Sequence, residues 1–232
     1  MDGPVPRSPW AVLCTALLWL LVAVAASFLA PNLLHLFGWR PAPLIYGLAA
    51  TIALQATLLL AVFHQGRSSA FGFGPVQRHM LVAGLTLLMI AWICVYLAAL
   101  IHFRLLATVI TTGLPTALAM QMQNRPAVLA VRLLLIALVA PVTEELFFRG
   151  WLWTALRQSW SAWPTAVVTA SIFLALHGLN GPVKVVVLIP AAVLLSLARH
   201  FGGSARASLP VHIASNVTAL AFQIASVFLR AS

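Results

Sequence analysis

Apolar residues run through this chain in long unbroken stretches, and polar residues are collected into short breaks between them. A stretch of about 20 apolar residues is what one helical crossing of ~30 Å of hydrocarbon requires. By that measure the pattern predicts spans at Trp10–Ala30, Leu44–Phe63 and Met80–Phe103. Four more follow: Pro126 to about Gln158, Pro164–His177, Val183–Arg199 and Leu209–Leu229. Pro31 is expected to end the first span and Pro190 to kink the sixth, because proline has no N–H to give the helical ladder. Pro126 stands where a helix start tolerates proline. Leu105–Met122 is ambiguous between a short span, a re-entrant piece and an interfacial helix, since it carries Thr108, Thr111 and Thr112 with Gly113 and Pro115. The expected fold is an all-α, polytopic transmembrane helix bundle of seven or eight helices.

Composition sharpens this picture. The 232 residues are 62% hydrophobic and only 7% charged, against about 25% charged in ordinary soluble domains. The first span has Arg7 before it and Ala25 and Ala26 late in it, as a signal peptide would. Its apolar run is long for one, so it reads as an uncleaved helix. A formal net charge of +10 raises the question of nucleic acid, but the 13 Lys and Arg are dispersed, mostly in short connectors, and form no basic stripe with interleaved aromatics. Such charges set topology and meet anionic lipid headgroups, so the expected partner is the bilayer and no nucleic acid. With seven spans and the N-terminus inside, Arg149 and Arg199 are cytoplasmic and the basic residues show a slight positive-inside bias, whereas an eighth span at Leu105–Met122 reverses the second half. Cys14 and Cys94 fall in apolar spans without CxxC spacing and read as small core hydrophobes.

Against this background the carboxylates stand out. There are three in the chain, Asp2 near the start and the adjacent Glu144 and Glu145 at the edge of a strongly apolar run. Placing one near hydrocarbon costs about 2.5–3.5 kcal/mol on insertion scales. Glu145 and Arg149 are at i, i+4 with the acid N-terminal, the favourable order for a helical ion pair. Glu144 lies about 100° round the helix and is left to point elsewhere. An ion-paired helix clamp accounts for Glu145 and Arg149 but gives Glu144 no purpose.

Two further sites share the helical spacing. Phe173 and His177 are one turn apart at the end of their span, and His212 and Asn216 share a face of the last one. Taken singly, His177 fits a cap, and His212 with Asn216 fits interhelical hydrogen bonding. Together, three polar sites near the ends of three spans supply a carboxylate, two imidazoles and an amide, a set suited to general-base catalysis with oxyanion donors. The remaining histidines lie at span ends or in connectors and read as interfacial. A proton-coupled transporter is disfavoured by the absence of an inverted repeat.

The three motifs in order, Glu144-Glu145-x-x-x-Arg149, Phe173-x-x-x-His177 and His212-x-x-x-Asn216, resemble those of the CPBP family (CAAX protease and bacteriocin-processing, also ABI), which includes the type II CAAX prenyl endopeptidases. The resemblance covers Pro126 to Leu229 and divides the chain into residues 1–125, N-terminal helices without a recognised motif, and 126–232, a catalytic helix bundle. It implies an intramembrane endopeptidase acting on a membrane-associated protein or peptide. Carried over, Glu144 is the catalytic carboxylate and activates water with His177. His212 and Asn216 hold the oxyanion, and Glu145, Arg149 and Phe173 support the geometry. No cofactor is expected on this glutamate-dependent reading. The alternative is a zinc-dependent protease with Glu144, His177 and His212 as ligands and an open position for water, although the HExxH motif is absent. A second alternative is a non-enzymatic membrane protein of the bacteriocin-immunity type. A short chain without long loops points to a bacterial inner membrane.

Overall fold

The computed structural model describes residues 8–38, 43–65, 72, 74–76, 80, 81, 83, 84, 86–88, 90–92, 95, 126–179 and 182–231. Among these the secondary structure is helical, with no strand. Six helices are delimited: α1 (Pro9–Leu36), α2 (Pro43–Gln65), α3 (Pro126–Leu156), α4 (Ala162–Gly178), α5 (Pro182–Gly202) and α6 (Ala205–Ala231). Helical residues also occur between 80 and 95. The expected all-α membrane bundle is what forms. Three helices, Pro9–Leu36, Ile45–Gln65 and Pro126–Leu156, are long and apolar enough to cross a membrane. Leu105–Met122 lies outside the described residues.

The helices outrun the spans read from the sequence, for local reasons. Pro31 does not end α1, which continues to Leu36. Past the proline, the Asn32 amide turns back to donate to the Phe28 carbonyl at 2.6 Å, and Tyr46 of α2 donates to Asn32 Oδ1 at 2.6 Å. The last helix begins at Ala205, not Leu209, because Ser204 is an N-cap: its Oγ accepts the Arg206 N–H at 3.2 Å. Gly203, at φ +67°, supplies the left-handed residue that closes α5 and lets α6 start at once.

α1 meets α2 along Val12, Ala16, Leu20 and Ala23, against Leu58, Ala61 and Val62. The alanines allow close approach of the backbones, the usual basis of helix association where lipid is as apolar as the side chains. Leu17, Leu18, Leu21 and Val22 on the other faces of α1 are exposed, as a lipid-facing surface should be. Cys14 is exposed there too, not in the core, and Cys94 lies outside the described residues. The core joins both parts of the chain, with Phe147, Phe148, Trp151 and Leu152 of α3 packed in one cluster with the α1–α2 residues.

α3 is not uniform. Two π-helical segments, Leu135–Val139 and Leu146–Leu152, flank the α-helical Ala140–Glu145 that carries the carboxylates. Pro141 explains the first. The Ala140 N–H reaches back five residues to Leu135 O, and Pro141 has no N–H, so Ile136 O receives neither donor. The Asn216 amide nitrogen from α6 takes that carbonyl at 2.8 Å. The second segment shows the same arrangement. The Trp153 N–H bonds Gly150 O and Phe148 O and steps over Arg149 O, which accepts the Nε–H of Arg199 from α5 at 2.8 Å.

Candidate active site

α6 runs antiparallel to α3, and its 208, 212 and 216 positions form one stripe at helical spacing. Ser208 meets Glu145, His212 meets both glutamates, and Asn216 reaches Ile136. From the α5–α6 turn at Ser204 to His212 is about 12 Å of helix. The site residues Glu144, Glu145, Arg149 and His212 are each at most 6% exposed.

Glu145 is fully engaged. Its Oε1 accepts from Arg149 Nη1 at 3.2 Å and lies 2.9 Å from His212 Nδ1, and its Oε2 accepts from Ser208 at 2.5 Å. The ion pair expected from the i, i+4 spacing is present. An ionised carboxylate is acceptor only, so the proton between Glu145 and His212 sits on Nδ1. The other imidazole nitrogen then faces Glu144, with Nε2 3.7 Å from Glu144 Oε2. His212 therefore bridges the two glutamates, one through each ring nitrogen. Glu144 Oε1 accepts from Gln55 Nε2 at 3.2 Å.

Phe173 fixes the opposite wall. Its ring lies 4.4 Å from the His177 ring, 5.7 Å from the His212 ring and 5.5 Å from the Phe148 ring, and Arg149 Cζ sits 4.6 Å from its centroid. The guanidinium, with no exposed surface, combines one ion pair with a cation–π contact, while its Nε and Nη2 have no hydrogen-bond partner among the described residues. His177 Nδ1 donates to Phe173 O at 2.9 Å, which leaves the lone pair of a neutral ring on Nε2. The structure thus gathers Glu144, Glu145, Arg149 and His212 through direct polar contacts and brings His177 to them across the Phe173 ring. Asn216 lies one turn beyond His212, with its amide nitrogen on the backbone of α3. Among the described residues no group of three or more His, Cys, Asp or Glu side chains is placed to hold a metal ion. The set Glu144, His177 and His212 forms no such group.

Four polar contributors were not singled out from the sequence as site residues. Gln55 and Thr143 border Glu144, Ser208 binds Glu145, and Arg199 holds the Arg149 carbonyl. Arg199, counted as a connector charge, is buried with its Cζ 5.5 Å from the Trp153 ring. Gln55 carried a signal, being a lone amide in the middle of an apolar span, where polar side chains face the bundle interior.

Fold and cluster together define the class: an all-α membrane protein that keeps paired carboxylates, an imidazole and a guanidinium in its interior. Residues 126–218 match the family model described as type II CAAX prenyl endopeptidase Rce1-like, so this segment is similar to the CAAX-type proteases. No curated protein and no solved structure matches the chain.

Proposed function

We propose that the protein is a glutamate-dependent endopeptidase that hydrolyses a peptide bond of a membrane-associated protein without a covalent acyl-enzyme. The observation that carries this reading is the division of labour between adjacent carboxylates. Glu145 is tied to Arg149, Ser208 and His212, while Glu144 turns one oxygen toward His212 Nε2. Glu144 takes a proton from water, and the resulting hydroxide adds to the scissile carbonyl. His177, whose Nε2 carries a lone pair in the tautomer that donates to Phe173, assists in orienting that water. The Nε2–H of a doubly protonated His212 and the second amide hydrogen of Asn216 donate to the oxyanion. Collapse breaks the C–N bond as the proton held on Glu144 passes to the leaving amine. A positioned base contributes about 10²–10⁴-fold and one oxyanion donor about 10²–10³-fold.

The reading extends to a chain with seven or eight spans in a bacterial inner membrane. Prenylated C-terminal tails, signal-like peptides and C-terminal sorting tails all fit a site at this depth. The test compares the termini of membrane proteins in cells carrying Glu144→Ala with wild type. New uncut species are expected in the variant, and an unchanged set of termini would remove the protease reading. Metal analysis of the purified active enzyme belongs to the same test: activity without bound zinc is expected, and activity that depends on stoichiometric zinc would restore the Glu144, His177 and His212 ligand set.

A further inference from the structure

We infer that Gln55, on α2 and outside the family-matched segment, is a positioning residue for the catalytic carboxylate Glu144. Gln55 is buried in the middle of α2, at 4% exposure. Its Nε2 donates to Glu144 Oε1 at 3.2 Å, and its Oε1 accepts from the Thr143 hydroxyl. The amide is thus held at both ends. Thr143 precedes Glu144 on α3, and its hydroxyl, also within reach of the Val139 and Ala140 carbonyls, meets the amide end turned away from the carboxylate. The Nε2 end is the one an ionised carboxylate accepts, since such a group has no proton to give.

The consequence concerns the second oxygen. With Oε1 pinned by α2, rotation of the carboxyl group is restrained, and Oε2 stays directed at His212 Nε2. Among the described residues Glu144 has no guanidinium contact of the kind that fixes Glu145, so without Gln55 the anchor left to it there is a 3.7 Å approach to the imidazole. Outer partners that orient a reactive group are commonly worth 10–100-fold in activity. The catalytic centre of this chain is therefore completed by a helix from its N-terminal part, through the Thr143–Gln55–Glu144 relay.

This inference rests on the protease reading for its kinetic consequence but not for its contact, and the experiment separates the two. Gln55→Met keeps the side-chain length and removes both polar ends. Thr143→Val keeps the shape and removes only the hydroxyl at the far end of the amide. For a membrane substrate found by the termini comparison, Gln55→Met is expected to lower kcat about 10–100-fold with KM within about 2-fold. Thr143→Val should act in the same direction and more weakly, and the double variant should be no worse than Gln55→Met, because both act through one relay. A structural role alone would multiply the two losses and lower thermal stability in step. In parallel, an apolar carbodiimide is applied to the membrane-embedded protein at fixed pH, and mass spectrometry counts adducts on each glutamate without any substrate. Gln55→Met should raise modification of Glu144 several-fold and leave Glu145 at its wild-type level. Unchanged Glu144 modification, or losses that multiply in the double variant, overturns the inference. If wild type cleaves nothing, the protease reading fails, and the Glu144 adduct ratio alone still decides whether Gln55 holds that carboxylate.

Discussion

Two neighbouring glutamates with the same chemistry occupy different environments, and the difference predicts different failures on substitution. Glu145 neutralises Arg149, a cation with no exposed surface. Removing one partner of a buried pair typically costs 3–5 kcal/mol, because the other charge is left uncompensated. Glu145→Gln should therefore lower the thermal stability of the purified protein sharply, and adding Arg149→Met should recover much of the loss. Glu144 has the Gln55 amide and the His212 ring beside it and, among the described residues, no guanidinium partner of its own. Glu144→Gln should melt close to wild type and still abolish cleavage. Equal melting losses for the two single variants would contradict this separation. The pairing behind it was legible in the sequence, since i, i+4 spacing names Arg149 as the partner of Glu145 and frees Glu144. The partner of Gln55 was not, because a lone amide in an apolar span marks an inward-facing side chain but has no spacing that names Glu144, far along the chain.

The two π-helical segments are the devices that place these side chains. π-turns commonly occur at functional sites, and here each is latched from a different helix, by Asn216 at Ile136 O and by Arg199 at Arg149 O. Sequence periodicity marks one long helix from Pro126, and the structure keeps it. It cannot mark the bulges, because they depend on carbonyls that only tertiary contacts satisfy. Nor could it separate Arg199 from the connector charges, since burial is decided by the neighbour packed against it. Pro141 is the local cause of the first bulge, so Pro141→Ala should let that turn relax toward α-helix. Restoring an N–H in a helix interior is worth up to ~3 kcal/mol, so thermal stability should hold or rise. Removing the bulge turns one side of the helix by about 100° relative to the other, taking Glu144 and Asn216 out of register. Cleavage should fall at least about 10-fold. A variant that is both more stable and fully active would show that the bulge does not position the site.

At the scale of the whole molecule, the family match and the site have different boundaries. The match covers 126–218, yet the core packs Val12, Ala16, Leu20, Leu58 and Val62 with Phe147, Phe148 and Leu152 in one cluster, and Gln55 touches Glu144. The division at residue 125 that the motifs suggest is thus a division of sequence similarity, and packing crosses it. In a bilayer, helices can form first and associate afterwards through side-chain fit, so a break in the chain need not prevent assembly. Two fragments, 1–125 and 126–232, expressed together should co-purify and cleave. Fragment 126–232 alone keeps every motif but loses Gln55 and the apolar wall against Phe147 and Phe148. Its cleavage should be at least 10-fold below that of the assembled pair, given the ~10–100-fold scale for a lost orienting partner. Adding Gln55→Met to the 1–125 fragment should leave co-purification intact and reduce cleavage as in the unbroken chain. A lone 126–232 fragment working at the full rate would mean that the N-terminal helices serve the membrane and not the chemistry.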